Sequence, residues 1–164
     1  MTEVKLGLKP INSLSLVAFD RHCLELSWEW LNDPETRELT MSQTFTRTEQ
    51  EAFFDSLPAR KDYLIWGVKL HDREVIGVAG LKNPRGAMVE YWGYIGAKVH
   101  WNRGLGRLLI VAVEEKARES GFTDLELKVS TANQRAVALY TKVGFVVDQV
   151  RSSESCLYMV KRGI

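Results

Sequence analysis

The chain has 164 residues, a length that favours a single domain spanning residues 1–164 around a sizeable core. Its net charge of +1 provides no field that would attract nucleic acid or an anionic membrane surface. No apolar run approaches the roughly 18 residues of a membrane span, and the polar segment Met1–Lys9 is unlike a secretory signal. Cys23 and Cys156 are isolated and lack metal-site spacing, so we predict reduced thiols in a cytoplasmic protein.

The N-terminal third is predicted to hold one strand and three helices. The strand covers residues 14–18, and the helices cover residues 20–31, 34–40 and 48–57. Asp20 is a plausible N-cap of the first helix, and Pro34 opens the second in the first turn, where no N–H is needed. Thr48 and Glu51 have the spacing of a capping box at the start of the third.

The middle of the chain has β character. Three strands are predicted to form a meander over residues 63–70, 75–81 and 89–95. Turns are predicted at His71–Arg73 and Asn83–Gly86. Gly93 and Gly96, in or beside the last of these strands, indicate a β-bulge or a close approach of another group to the backbone.

The C-terminal third alternates helices and strands. A helix ending at Gly121 precedes a strand over residues 124–129, a helix over residues 134–143 and a closing hairpin of residues 146–150 and 156–160. The order of elements therefore predicts an α/β fold in which a mixed sheet has helices on its faces.

A short glycine-rich turn, Trp101–Gly106, leads directly into the first helix of this third. Its glycines would let backbone N–H groups close on an anion at the positive end of a helix, and Arg103 and Arg107 flank it. The turn is a candidate cradle for the pyrophosphate of a cofactor, although a plain tight turn explains it equally well. A dinucleotide-binding turn is excluded because Leu109 stands where its third glycine belongs, and no nucleoside-triphosphate loop is present.

Two motifs carry a resemblance to a known family. The first is Trp101–Gly106, and the second is Asn133–Phe145, where an asparagine precedes a helix bearing Leu139-Tyr140 and ending in Gly144-Phe145. Together they resemble the GNAT acetyltransferase superfamily, whose first motif reads Q/R-x-x-G-x-G/A; here tryptophan replaces Gln or Arg, while Arg103 still supplies charge. The resemblance implies a central mixed, mostly antiparallel, twisted sheet flanked by helices on both faces. It also implies acetyl-CoA as co-substrate and no metal.

The resemblance also implies how the cofactor is held. Its pantetheine amides would pair with the end of the third meander strand, and its pyrophosphate would lie in the glycine turn. The cofactor-binding residues so predicted are Tyr94, Ile95, Gly96, Arg103, Gly104, Leu105, Gly106, Arg107, Asn133 and Tyr140. A backbone N–H near Tyr94–Gly96 would stabilise charge on the acetyl oxygen.

Two catalytic residues are predicted on the same basis. Tyr140 would protonate the departing thiolate, since the resemblance places its hydroxyl beside the cofactor sulfur; a core tyrosine between helix and sheet is the alternative. Glu90 would draw the proton that an alkylammonium must lose before it attacks, directly or through water. An exposed strand carboxylate is the alternative for Glu90, and His100 is a rival base by residue type. Neither cysteine lies in a motif that suggests an acetyl-enzyme, so direct transfer in a ternary complex is expected.

The segment Trp28–Glu35 looks like a W-x-N-D-P entry shared by two branches of the superfamily. One branch acetylates nucleotide-linked amino sugars and the other acetylates the N-termini of ribosomal proteins. Residues 41–57 look more like the sugar-nucleotide branch, although Leu31 stands where that branch often carries arginine. The predicted acceptor is thus a small-molecule amine, with a nucleotide sugar first and a protein N-terminus second. Its predicted contacts are Trp30, Asn32, Phe45 and Glu90.

Two further alternatives stay open at this level. The chain could be a catalytically silent acyl-CoA-binding or sensing module on the same fold, or a non-enzymatic α/β interaction domain. The predicted oligomeric state is a monomer or a homodimer.

Overall fold

The computed structural model describes residues 13–164, so the polar segment Met1–Lys9 lies outside the described residues. The elements follow the predicted order. Their bounds are β1 Leu14–Ala18, α1 Arg21–Asn32, α2 Pro34–Thr40, α3 Arg47–Ser56, β2 Tyr63–Leu70, β3 Glu74–Arg85, β4 Met88–Ile95, α4 Leu105–Glu119, β5 Asp124–Ser130, α5 Gln134–Lys142, β6 Val146–Val147 and β7 Cys156–Arg162.

Within residues 13–164, seven strands form one sheet in the order β1-β2-β3-β4-β5-β7-β6. Neighbouring strands are antiparallel except β4 and β5, which run parallel and are joined by the crossover helix α4. The predicted α/β class, with a mixed and mostly antiparallel sheet flanked by helices, is therefore confirmed.

The parallel pair at the centre of the sheet is short. β4 and β5 pair only from Met88 to Glu90 on the β4 side. Beyond Glu90, β4 continues to Ile95 beside β3, while β5 continues to Ser130 beside β7. The two strands separate, and the edge of β4 from Tyr91 onward has no strand partner on the β5 side among the described residues.

One face of the sheet carries the main hydrophobic core. Val89 and Tyr91 of β4 belong to the same buried cluster as Leu109, Ile110 and Val113 of α4. The apolar residues of α4 recur at helical spacing, so the helix buries one continuous stripe against the sheet.

The opposite face lies beneath α1 and α3. Successive side chains of a strand point to opposite faces, so Glu90, Trp92 and Tyr94 share this side of β4. Trp92 and Tyr94 face Leu24 of α1 and Phe53 of α3 across a cavity. The two faces of β4 thus meet different environments.

Several predicted local features hold, and one is displaced. Asp20 caps α1 by accepting from the Cys23 N–H at 3.0 Å, and Pro34 occupies the first turn of α2. The capping box of α3 is formed by Thr46 and Glu49 rather than by Thr48 and Glu51. The same three-residue spacing occurs two positions earlier, and Glu51 instead pairs with Arg21 on α1 at 2.8 Å.

Two strand boundaries also differ from the prediction. β3 continues through Asn83 to Arg85, because these residues form an irregularity within the β3–β4 pairing and the chain turns at Gly86. β6 ends at Val147, since the Asp148 carboxylate accepts from the N–H groups of Val150 and Arg151 and turns the chain there.

The close-approach alternative for the β4 glycines is confirmed. A Cβ on Gly93 would lie 2.8 Å from the Tyr91 hydroxyl, and one on Gly96 would overlap the Trp30 ring. Among the described residues, the irregularities of register in the β2–β3 and β3–β4 pairings lie away from both glycines.

Candidate functional site

The glycine turn places an uncapped helix N-terminus at the end of β4. Gly104 is the N-cap residue of α4 with φ of +75°, and no side chain caps this end of the helix. A Cβ on Gly104 would meet nothing within 4 Å, so the space above the first turn is open. Arg103 and Arg107 are exposed beside it. This is the arrangement in which a helix N-terminus receives an anion.

Leu105 and Gly106, which the sequence also places in the cradle, have other roles in the structure. Leu105 is buried in the core, so only its backbone could face an anion. A Cβ on Gly106 would lie 2.7 Å from the end of the Leu139 side chain of α5, so a larger residue here would require that side chain to shift. The second glycine of the motif therefore lies where the two motif helices meet.

Trp101, the departure from the family pattern, has a structural role. Its indole Nε1 donates to the Ile95 carbonyl at 2.7 Å, which ties the glycine turn to the last residue of β4. The Lys98 ammonium lies 5.5 Å from the centre of a Trp101 ring. An aromatic donor thus fixes the turn in place of the expected Gln or Arg.

The end of β4 combines an open edge with a fixed turn. The N–H groups of Gly96 and Ala97 both donate to the Ile76 carbonyl, at 2.8 and 3.1 Å. The Gly96 N–H is therefore already used, which removes it from the group predicted to stabilise an acetyl oxygen. The Tyr94 N–H points to β3 in the same way, because N–H groups alternate between the two edges of a strand, so Ile95 remains as the candidate.

Tyr140 projects from α5 toward β4. Its ring makes edge contacts with Tyr91 at 6.3 Å and with Phe145 at 5.8 Å between ring centres. Burial raises the pKa of the Tyr140 phenol to about 12, so the hydroxyl carries its proton at neutral pH. The raised pKa makes this phenol a weaker acid than a free tyrosine, and its ring packs against the main core cluster beside Tyr91.

Glu90 is 6% exposed and is held by two lysines. Lys82 of β3 approaches its carboxylate at 3.4 Å and Lys128 of β5 at 3.6 Å. The alternative of an exposed strand carboxylate does not hold. His100, the rival base, pairs with Glu74 at 3.0 Å near the β2–β3 turn.

Asn133 caps α5 and links it to α2. Its side-chain oxygen accepts from the Ala136 N–H at 3.3 Å, and its amide nitrogen donates to the Leu39 carbonyl at 3.5 Å. Both polar atoms thus have protein partners that order the loop at the mouth between β4 and β5.

The predicted acceptor residues are not all brought together. Phe45 lines the cavity beneath α1 and α3, whose volume is about 320 Å³. Trp30 instead packs edge-on against Tyr94, with 6.3 Å between ring centres, and covers Gly96. Asn32 is exposed and donates to the Trp28 carbonyl at 2.7 Å at the end of α1.

Gln50 and Trp92 line the same cavity and were not predicted as site residues. The alternation of β4 was a usable signal for Trp92, because it puts this residue on the face of Glu90. Gln50 offered none, since the sequence of α3 does not say which of its polar residues is buried.

No group of three or more His, Cys, Asp and Glu side chains that could hold a metal occurs within residues 13–164. In the same part of the chain, no helix has both the length and the apolar character needed to cross a membrane.

Comparisons with known proteins agree with the fold. The sequence model described as "Acetyltransferase (GNAT) family" matches residues 24–145. The uncharacterized N-acetyltransferase YdgE of Bacillus subtilis is 28% identical over 120 residues, which cover 68% of this chain and 74% of YdgE.

Two solved structures show the same architecture. Spermidine N-acetyltransferase from Vibrio cholerae, in complex with CoA and spermine, superposes with a TM-score of 0.79 and 20% identity, covering 92% of this chain and 95% of that one. The N-acetyltransferase PseH of Campylobacter jejuni, in complex with acetyl coenzyme A, gives a TM-score of 0.71 and 19% identity over 92% of this chain and 99% of that one.

Proposed function

The chain belongs to the acetyltransferase (GNAT) family, and on that premise we propose that it transfers the acetyl group of acetyl-CoA to a primary amine by direct attack in a ternary complex. The observation that carries this proposal is the open, uncapped start of α4 beside the unpaired edge of β4. These features fit the cofactor, because the first offers N–H groups to a pyrophosphate and the second offers peptide groups to pantetheine amides.

The chain's own residues would bind the cofactor as the sequence predicts. Arg103, Gly104, Leu105, Gly106 and Arg107 hold the pyrophosphate through backbone N–H groups and guanidinium charge. The end of β4, Tyr94–Gly96, lies along the pantetheine. Asn133 orders the loop beside it through its two hydrogen bonds.

The proton transfers are assigned to two residues. Acetyl-CoA supplies the acetyl thioester, and the amine forms the new C–N bond as the C–S bond breaks. Tyr140 holds the proton that the sulfur takes, since a tyrosine phenol is protonated at neutral pH. Glu90 receives the proton that the amine gives up. Lys82 and Lys128 already face that carboxylate; they repel a third cation, which favours transfer through water over direct contact.

The acceptor in this proposal is a nucleotide-linked amino sugar, with a protein N-terminus as the second candidate. The support is the segment Trp28–Glu35 and the position of Phe45 in the cavity beside β4. Asn32 gives no support, because it is exposed and bonded within its own helix. We also propose that residues 1–164 act as one domain, as monomer or homodimer, in the cytoplasm; Cys23 and Cys156 are free thiols.

The experiment measures release of free thiol from acetyl-CoA against a panel of acceptors. The panel contains UDP- and dTDP-linked 4-amino sugars, peptides with free N-termini, and polyamines. Turnover on a nucleotide sugar alone supports the first acceptor, and turnover on peptides supports the second. Tight acetyl-CoA binding without turnover on any amine would replace the proposal with a non-catalytic acyl-CoA-binding module.

A further inference from the structure

The cavity on the α1 and α3 side of the sheet is lined almost entirely by apolar groups. Leu24 and Leu31 of α1, Phe53 of α3, and Ile65 and Val78 of the sheet form much of its wall. Trp92 and Tyr94 close it at β4, on the strand that carries the proposed reaction centre. Its volume of about 320 Å³ suits a single ring with a short substituent.

Three buried polar atoms of the cavity-lining residues have no hydrogen-bond partner. They are the Gln50 side-chain oxygen Oε1, the Trp92 indole Nε1 and the Tyr94 hydroxyl. Gln50 is 5% exposed, and its amide nitrogen is already used, donating to the Leu24 carbonyl at 3.0 Å and to Ser27 Oγ at 3.2 Å. That bonding fixes the amide so that its oxygen remains free.

Unpaired buried polar atoms indicate which hydrogen-bonding groups a ligand would offer. A buried polar group without a partner costs free energy, which a ligand with a matching group recovers. Trp92 can only donate, the Gln50 oxygen can only accept, and Tyr94 can do either. A ligand in contact with these atoms would therefore offer both an acceptor and a donor. Burial raises the pKa of Tyr94, so its hydroxyl is available as a donor.

The charged groups around the cavity argue against a ligand that places a phosphate inside it. Among the described residues that line it, Glu49 is the one charged side chain. Its carboxylate accepts from the Thr46 N–H at 3.3 Å and from the Thr46 hydroxyl at 3.1 Å, as part of the α3 capping box. The wall thus has a single carboxylate, on the exposed residue Glu49, and no cation for a phosphate.

We propose that this cavity binds the body of the acceptor, which is a primary amine on a compact, uncharged and mostly apolar group that carries one hydroxyl or similar donor–acceptor. This inference rests on the proposed acetyl transfer and narrows its substrate class. It disfavours polyamines. A nucleotide-linked amino sugar satisfies it only with the sugar ring in the cavity and the diphosphate outside.

Binding to the full-length protein saturated with CoA tests the inference directly. Titration calorimetry would compare tyramine, phenethylamine and spermidine. Phenethylamine is expected to bind at least about tenfold more tightly than spermidine, because its ring is buried. Tyramine is expected to bind about two- to tenfold more tightly than phenethylamine, because its hydroxyl meets an unpaired atom.

Two variants each remove one unpaired polar atom: Tyr94→Phe removes only the hydroxyl, whereas Trp92→Phe also makes the ring smaller. In Tyr94→Phe and Trp92→Phe the advantage of tyramine over phenethylamine should shrink toward one in at least one of the two. The Kd of CoA should be unchanged in Trp92→Phe, because Trp92 is not among the predicted cofactor-binding residues. Tyr94→Phe should leave Tm unchanged or raised, since the lost hydroxyl has no partner. Tyr158→Phe is the matched control: its ring lies against Lys128 and Arg151, outside the cavity wall, and the advantage should persist.

The outcomes separate this inference from the proposed function. Spermidine binding as tightly as phenethylamine, or an unchanged tyramine advantage in both cavity variants, overturns the cavity assignment while leaving acetyl transfer standing. Tyramine that binds as expected and is not acetylated supports the cavity assignment and counts against transfer to the bound amine. Tyramine that neither binds nor is acetylated overturns the cavity assignment.

Discussion

The two faces of the central sheet differ in how completely their groups are matched. On the α4 face, Val89 and Tyr91 pack into a closed cluster with Leu109 and Val113. On the α1 and α3 face, the neighbouring residue Trp92 lines a cavity and has an unpaired indole N–H. Tyr91 and Trp92, adjacent residues of β4, thus have different roles. The first face is expected to determine stability and the second to determine which amine binds.

The largest effect is expected from Tyr140→Phe. This variant tests whether residues on the α4 face contribute only to stability. Tyr140 packs against the α4-face cluster, yet we assign its hydroxyl to proton transfer. The ring contacts with Tyr91 and Phe145 survive the change. Loss of a general acid should lower kcat about a hundredfold to ten-thousandfold, with the Kd of acetyl-CoA unchanged. Thiol release and calorimetry measure the two quantities.

An unchanged kcat in Tyr140→Phe would remove this residue from the mechanism. A fall in Tm without a fall in kcat would make it a structural residue of the α4 face. Tyr158→Phe serves again as a control for loss of a phenol elsewhere.

The next effect is on stability and contrasts the two faces directly. Leu109→Ala removes a side chain that is 2% exposed on the α4 face, and should lower the free energy of unfolding by about 2–5 kcal/mol. Phe45→Ala, on the partly exposed wall of the cavity, should cost less stability and more acceptor affinity. Denaturant unfolding and amine titration of both variants check the contrast. Equal losses of stability would contradict it.

A smaller effect tests the cradle, with a control at the other end of the same helix. Gly104 and Gly121 both have positive φ, +75° and +88°, and a Cβ on either would meet nothing within 4 Å. Gly104→Val and Gly121→Val should therefore each lose about 1–2 kcal/mol of stability through the left-handed backbone. Only Gly104→Val should also weaken CoA binding, measured by calorimetry. Equal CoA affinity in the two variants would refute the cradle.

Local backbone features could be predicted from the sequence better than contacts between elements. The helix start at Gly104 and the cap at Asp20 depend on short-range backbone rules, which the sequence expresses directly. The pairing of Glu90 with Lys82 and Lys128 depends on the register of three strands. Local spacing contains no record of that register.

The displaced predictions have the same cause. Thr46 and Thr48 offer overlapping capping-box spacings, and the contact of Glu51 with Arg21 on another helix is absent from a local pattern. The turn predicted over Asn83–Gly86 occurs only at Gly86, because Arg85 pairs with Met88 of β4 after an irregularity at Asn83, whose φ is +50°. Sequence patterns of this kind give elements reliably and their partners poorly.

The smallest expected effect is a change with pH in the stability of Glu126→Gln. It measures what an ion-paired carboxylate on the cavity face contributes to stability. Glu126 of β5 stands beside Glu90 in the parallel register and so shares its face. Burial would raise the pKa of Glu126, but Arg85 at 2.7 Å and Arg151 at 2.8 Å outweigh burial and hold that pKa below its usual value of 4.5.

A carboxyl with a lowered folded-state pKa stabilises the protein above its unfolded-state pKa, and this stabilisation is lost as the pH falls through the folded-state pKa. The stability gap between the wild type and Glu126→Gln should therefore be constant near neutral pH and narrow below about pH 4.5. Glu119→Gln, which removes an exposed carboxylate at 3.6 Å from Lys116 on α4, is the control and should show a smaller change with pH. Denaturant unfolding across this range measures both gaps, and a Glu126 gap that stays constant into acid would mean that its ion pairs do not stabilise the cavity face.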